Sequence, residues 1–132
     1  MSARTILIAD DETHILNVLT IKLTNAGYNV ITAQDGEEAH RLACEHLPEL
    51  IITDYQMPLL SGLELCSRLR SSPATKDIPA ILLTARGFSM SQREKTQDNI
   101  REVVTKPFSP REILALAERL IAQEPAATTI PG

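Results

Sequence analysis

Short apolar runs and amphipathic stretches alternate along this chain five times, with turn-forming residues at nearly every junction. The first run is about Thr5 to Ala9. A helical pattern follows near Thr13 to Asn25, whose Ile15, Leu16, Leu19 and Leu23 share one face. Gly27 closes it, as a left-handed cap requires. Asn29 to Ala33 reads as the second strand, and Asp35-Gly36-Glu37-Glu38 opens a helix with an acidic cap and Glu at the third helical position; this helix stops before Pro48. Leu50 to Thr53 is the third strand. A loop from Asp54 to Leu60 leads into a helix capped by Ser61, with Glu64 reaching back, and Ser71-Ser72-Pro73 ends it. Ala80 to Leu83 is the fourth strand, preceded by Ile78-Pro79. Ser91 to Gln97 carries the weakest helical pattern, since Phe88 and Met90 are almost its only large apolar neighbours before Ile100, and is expected to dock loosely. Glu102 to Thr105 is the fifth strand. Ser109-Pro110-Arg111-Glu112 then combines a capping box with Pro at the first helical position, and Ile113, Leu114, Leu116, Ala117, Leu120 and Ile121 mark the buried side of the last helix. Beyond Pro125 the periodicity is lost, which predicts a disordered tail over 125–132 or the stub of a linker.

Strict alternation of strand and helix means an α/β fold with a parallel sheet covered on both faces. At 132 residues the chain fits one domain, expected over 4–124, with a core that needs no disulfide or metal staple. Hydrophobic residues make up 43% and charged residues 23%, as in soluble globular proteins. A net charge of -4 without a basic stripe argues against direct nucleic-acid binding, which is built from clustered Lys and Arg. No charged and apolar leader precedes the first strand and no apolar stretch approaches membrane-spanning length, so a cytoplasmic protein that does not engage a membrane is expected. Cys44 and Cys66 sit in helical patterns at no metal-ligand spacing and read as reduced packing residues.

The chemistry lies where the apolar runs stop. Ile6-Leu7-Ile8-Ala9 ends on Asp10-Asp11, Leu50-Ile51-Ile52-Thr53 on Asp54, Ile81-Leu82-Leu83 on Thr84, and Val103-Val104-Thr105 on Lys106. In an open parallel sheet these carboxyl ends share one edge, where ligands bind. Three carboxylates in such a place suit Mg²⁺, which takes oxygen ligands and is usually held by one or two carboxylates together with phosphate oxygens and waters. Without a cation they repel, and at least one pKa rises. Asp54 is the candidate nucleophile, because a carboxylate can carry a phosphoryl group as a covalent intermediate. Thr84 can donate its hydroxyl to a phosphoryl oxygen and Lys106 can set a point charge on another. Lys106 precedes Pro107, so the bond between them is a candidate for the cis form. Singly, each residue has a plainer reading: Asp10-Asp11 as helix caps, Asp54 as a turn residue, Thr84 as a backbone partner, Lys106 as a surface charge. Their conjunction at four strand ends carries the argument.

These residues are where the chain resembles the receiver domain of two-component response regulators, in the manner of chemotaxis regulators. The resemblance covers residues 4 to 123. It rests on Ile6-Leu7-Ile8-Ala9-Asp10-Asp11-Glu12, Asp35-Gly36-Glu37-Glu38-Ala39, Asp54-Tyr55-Gln56-Met57-Pro58, Ser61-Gly62-Leu63-Glu64, Ile78-Pro79, Leu83-Thr84-Ala85 and Lys106-Pro107-Phe108, in that order. It implies a doubly wound, flavodoxin-like (βα)5 fold with five parallel strands in the order 2-1-3-4-5. It implies that Asp54 takes a phosphoryl group from a histidine kinase or histidine phosphotransfer protein, with Mg²⁺ held by Asp10 or Asp11, Asp54 and the backbone carbonyl of Gln56. Thr84 and Lys106 would read the phosphoryl group and shift the face made by the Ser91–Gln97 segment, the fifth strand and the last helix. Two positions depart from the family pattern. Val103 stands where many receivers carry a switching aromatic, and Asn99-Ile100 replaces Gly-Ala before the fifth strand, with Asn99 expected to tolerate a left-handed conformation.

The expected function is a phosphorylation-dependent switch that changes the binding of a downstream protein target, and not an enzyme beyond its own phosphotransfer and autodephosphorylation. Homodimerisation is open. Three rivals stand beside it. One is an excised receiver of a longer DNA-binding or enzymatic regulator, and one a pseudo-receiver that only binds partners. The third, a phosphohydrolase, would need a second acid two residues after the nucleophile, where this chain has Gln56. Gln56 and Arg86 flank the site and are expected to tune dephosphorylation. His14, His40 and His46 lie on helical patterns and are expected to be exposed, His14 being the one near the acidic pair.

Overall fold

The structure, a computed structural model, describes residues 4–85 and 98–123. Its elements are β1 (Thr5–Ala9), α1 (Thr13–Asn25), β2 (Asn29–Ala33), α2 (Gly36–His46), β3 (Leu50–Asp54), α3 (Gly62–Arg70), β4 (Ala80–Thr84), β5 (Ile100–Thr105) and α4 (Pro110–Gln123). The five strands are all parallel and lie in the order β2-β1-β3-β4-β5, the expected doubly wound arrangement. The helix expected over Ser91–Gln97, with Phe88, Met90 and Arg86, and the tail from 125 lie outside the described residues.

Every residue of β3 and β4 is buried, and so are the last four of β1, because these strands are covered on both faces. That is why they read as unbroken apolar runs. Alternate side chains serve opposite layers. Ile6, Ile8, Leu50, Ile52, Ile81 and Leu83 pack with Leu16, Leu19 and Leu23 of α1 and Ile113, Ala117, Leu120 and Ile121 of α4. Leu7, Ala9 and Ile51 face Ala39 and Ala43 of α2 and Leu65 and Leu69 of α3. Each fully buried Leu or Ile contributes about 1.5–3 kcal/mol relative to exposure. The edge strands β2 and β5 are only partly buried.

The caps follow the sequence reading with two variations, at Glu38 and at Ser109, where only the serine's half of the expected box is seen. Ser61 Oγ accepts the Glu64 amide at 3.1 Å while Glu64 Oε1 accepts the Ser61 amide at 2.9 Å, a complete capping box. Asp35 caps α2 through the Glu38 amide at 2.8 Å, but Glu38 reaches past it to the Gln34 amide at 2.9 Å. Ser109 Oγ accepts the amides of Arg111 and Glu112 at 3.2 and 3.4 Å. Gly27, at φ 101°, ends α1 with its amide on the Thr24 carbonyl. The Lys106–Pro107 bond is cis.

Two expectations are corrected at the start of β5. The strand begins at Ile100, two residues early, because Ala80 pairs with Ile100 and Ile81 with Glu102; Arg101 is the extra residue of a bulge. Asn99 is not left-handed, since among the described residues only Leu47 and Leu59 are non-glycines with positive φ. Instead Asn99 is buried, and its Nδ2 donates to the Cys66 carbonyl of α3 at 2.9 Å. The amide side chain thus makes a bond that a glycine there could not, tying the turn to the helix behind it. Of the cysteines, both free, Cys66 packs in the core as expected while Cys44 is exposed. His14 and His46 are exposed and His40 is half-buried. Among the described residues no helix is long and apolar enough to cross a membrane.

Loss of the Ser61 cap orphans an amide at the amino end of α3, just beyond the loop that follows Asp54. Ser61→Ala is expected to cost about 1 kcal/mol. Urea denaturation should show a lower midpoint with an unchanged slope; an unchanged midpoint would mean that the cap adds nothing to stability.

Candidate functional site

Parallel pairing sets the carboxyl ends of β1, β3, β4 and β5 side by side, since Ala9 pairs with Thr53, Asp54 with Leu83 and Thr84 with Thr105. The polar residues at those ends therefore meet. Asp10, fully buried, accepts the Glu12 amide on Oδ1 at 2.9 Å, and its own amide donates to the Ala33 carbonyl at 3.1 Å. Asp11 is exposed beside it. One carboxylate oxygen each from Asp10, Asp11 and Asp54 lie within 4.8 Å of one another. Lys106 Nζ sits among the acids, 3.1 Å from Asp54 Oδ1, 3.2 Å from Asp10 Oδ2 and 3.4 Å from Glu12 Oε1. The plain capping reading of Asp10-Asp11 fails, because the N-cap of α1 is Glu12 and no side chain caps that helix.

The backbone holds these groups firmly. Lys106 donates its amide to the Thr84 carbonyl at 2.8 Å, joining the ends of β4 and β5, and Thr84 is buried at the end of β4. Asp54 is only 8% exposed. Its carbonyl accepts the Thr53 hydroxyl at 3.1 Å, and the Gly62 amide donates to the Tyr55 carbonyl at 2.8 Å. A Cβ at Gly62 would lie 2.1 Å from the Asp54 carbonyl oxygen, so only glycine lets α3 start this close to the site. Gln56 is exposed on the loop just after Asp54. Val103 is half-buried and packs against the cluster of Cys66, Ala80, Leu82 and Ile100.

Three contributors were not singled out from the sequence for a role. Glu12 is a third acid on Lys106, signalled only by the run Asp10-Asp11-Glu12. Thr53 and Gly62 brace Asp54 through backbone contacts that leave no local signature. His14 lies with Glu12 and Lys106 at the rim of a groove and does not join the acidic cluster.

The charges are unbalanced, and the titration behaviour reflects it. Burial, reinforced by the Asp10 charge, pushes Asp54 up to about 6 despite its pairing with Lys106. Burial also raises Asp10, against the opposing pull of the Glu12 amide and Lys106. For Lys106, burial acts to lower the pKa, but the Asp54 and Asp10 carboxylates outweigh it and the ammonium is held above its ordinary value. Three carboxylate oxygens this close together suit a small hard cation, and oxygen donors of this kind fit Mg²⁺.

Residues 6–118 match the family model of the response regulator receiver domain. The chain belongs to that family. The receiver is 39% identical over 115 residues to the phosphate regulon transcriptional regulatory protein PhoB of Pseudomonas aeruginosa, covering 87% of this chain and 50% of that protein. The structure of the chemotaxis response regulator CheY4 of Vibrio cholerae matches it with a TM-score of 0.83 at 29% identity, over 90% of this chain and 99% of that one. The receiver domain of the sensor histidine kinase PA1611 from P. aeruginosa PAO1, solved with a magnesium ion coordinated in its active site cleft, matches with a TM-score of 0.83 at 25% identity, over 92% and 100% of the two chains. The chain spans about half the length of the curated relatives it matches.

A carboxyl whose folded pKa is raised is a burden when ionised. Between about 3.8 and about 6 the folded receiver holds more of the Asp54 proton than the unfolded chain, so this group's contribution to stability falls as pH rises through that window. Above it the full penalty stands, about 3 kcal/mol on this scale. With a chelator present, Asp54→Asn is therefore expected to be more stable than the parent at pH 7.5, and the gap should close as pH approaches 4. Thermal melts across that range test this; a gap that widens on acidification would reverse the assignment.

Proposed function

We propose that this receiver is a phosphorylation-dependent signalling switch whose acceptor is Asp54. The observation that carries the reading is the convergence of three carboxylates within 4.8 Å, with an ammonium 3.1 Å from the buried Asp54. In the proposed transfer, an Asp54 carboxylate oxygen forms a bond to the phosphorus of a phosphohistidine on a histidine kinase or histidine phosphotransfer protein. The P–N bond breaks, and the imidazole nitrogen keeps the electron pair and takes a proton from solvent. Asp10, Asp11, Asp54 and the Gln56 carbonyl would hold Mg²⁺, which offsets the charge of the carboxylates and the arriving phosphoryl oxygens. Lys106 supplies a positive charge beside Asp54, and Thr84 offers a hydroxyl to a phosphoryl oxygen.

Signalling needs the added charge to change a surface. Lys106 now bonds three carboxylates, and a phosphoryl group on Asp54 gives it a stronger partner. Because the Lys106 amide is bonded to the Thr84 carbonyl, a shift of either residue is felt in both β4 and β5. The face that includes β5 and α4 would then alter its affinity for a downstream protein target. With Val103 in the half-buried β5 position, this switch runs without an aromatic flip there. Hydrolysis of the acyl phosphate would return the resting state, and the exposed Gln56, two residues after Asp54, would influence the attacking water.

A second reading of the context is favoured by the length of the relatives: residues 4–124 would be the receiver of a longer regulator, and 125–132 the start of a linker. The chemistry at Asp54 is the same in both. Intact-mass analysis after incubation with Mg²⁺ and acetyl phosphate tests it. One phosphoryl group, dependent on Mg²⁺ and absent from Asp54→Ala, is expected; folded protein that gains none would leave a binding module without phosphotransfer. Gln56→Ala is expected to change the decay rate of the phosphorylated form several-fold while changing the unfolding free energy by no more than about 0.5 kcal/mol, the small range of surface substitutions. Identical decay would remove Gln56 from the hydrolytic step.

A further inference from the structure

Away from the acidic edge, α2 brings together two side chains of metal-ligating type. His40 and Cys44 stand four residues apart, so one turn of helix places them on the same face. Cys44 Sγ lies 3.8 Å from His40 Nε2. Cys44 is an exposed free thiol and His40 is half-buried beside it. Neighbouring charges are engaged elsewhere: Arg41 with Glu45 at 3.5 Å, Glu45 with His46 at 3.7 Å, and Glu37 with Arg68 at 3.6 Å.

The separation of the two donors matters. Bonds of about 2.3 Å to sulfur and about 2.0–2.1 Å to nitrogen, at a tetrahedral angle, put the donors of a zinc chelate about 3.5 Å apart. The pair needs to close by only a few tenths of an ångström, which ordinary rotation about the side-chain bonds allows. The donor set also selects the ion. Thiolate and imidazole favour Zn²⁺, whereas the carboxylates of Asp10, Asp11 and Asp54 favour Mg²⁺. Among the described residues only those three acids gather three ligands, so a cation held by His40 and Cys44 would have two protein donors and take its remaining ligands from water.

We propose that His40 and Cys44 form a bidentate site for a borderline-soft divalent cation, with Zn²⁺ as its probe, on the outer face of α2. Binding releases the thiol proton to solvent and clamps consecutive turns of the helix. The amino end of that helix adjoins the loop after Asp54, through the Gly36 amide on the Pro58 carbonyl at 3.3 Å. The site does not depend on the phosphoryl-transfer reading, because it shares no residue with the acidic cluster.

Thiol alkylation followed by mass spectrometry tests the proposal on the whole chain. Cys66 serves as an internal gauge of folding: it is fully buried, and burial pushes its thiol up to about 12, so it should label slowly in every native sample. At a Zn²⁺ concentration ten times the dissociation constant, alkylation of Cys44 should slow about tenfold, whereas Mg²⁺ alone leaves it unchanged. His40→Gln should abolish the protection while Cys44 still alkylates freely without zinc, and Asp54→Asn should retain it. Unprotected Cys44 in the parent protein, or protection that survives His40→Gln, would overturn the chelate.

Discussion

Four carboxylates surround one ammonium at the carboxyl edge of this sheet, and the rest of the site depends on that imbalance. Lys106 lies within 3.4 Å of Asp10, Glu12 and Asp54 at once, and Asp11 adds charge from solvent. Were the edge fully wet, such pairs would be worth little and the acids would ionise freely. Asp10 and Asp54 are buried instead, so their charges lose hydration that a single ammonium does not restore. The rise of Asp54 to about 6 expresses this deficit. At neutral pH Asp54 is mostly ionised, yet short of positive charge. A cation supplied from outside would complete what Lys106 begins, so on the proposed reading metal binding and readiness for transfer would draw on one electrostatic demand.

The fold meets that demand with backbone and leaves little to flexible side chains. Three strand ends are brought level by parallel pairing, and Lys106 comes directly after β5, its amide bonded to Thr84. The long lysine stem would sample many positions if its base moved, so anchoring the backbone narrows where the ammonium can go. Asp54 is braced from the other side by the close approach of Gly62 and by the Thr53 hydroxyl. The cores on the two faces of the sheet provide the rigidity behind these contacts, Ile52 and Ile81 packing on one face and Ile51 on the other.

How much of this was legible in the sequence depended on whether the controlling interaction was local. Unbroken runs such as Leu50 to Thr53 announced strands buried on both faces, and the polar residues closing those runs announced the site. The Ser61–Glu64 box and the Gly27 cap were readable because their partners lie within a few residues. Beyond that range the signal fades. The bulge at Arg101 arises from pairing with β4, Asn99 departs from a left-handed turn because a carbonyl on α3 captures its amide, and Glu12 joins the site only because Lys106, ninety-four residues later, reaches it. The 3.8 Å approach of Cys44 to His40 was local, yet cysteine spacing tuned to disulfides and zinc modules passed over a mixed pair one helical turn apart.

The electrostatic deficit at the edge also limits how the domain can be stabilised. A domain of this size has roughly 5–15 kcal/mol of net stability, and an ionised Asp54 removes a few kcal/mol of it on the scale set by its raised pKa. Replacing the acids by neutral residues would recover that energy and dismantle the site, since the buried, under-compensated negative charge that weakens the metal-free fold is what would attract a cation. Gains in stability that leave the chemistry intact must therefore come from elsewhere, in the caps, the packed faces of the sheet or the outer surface of α2. A cation bound at the acidic edge acts in the same direction as those changes, because it favours the folded state in proportion to its preference for it over the unfolded chain. On the proposed reading, stability and signalling competence are thus opposed in the metal-free domain and aligned once the charge is met.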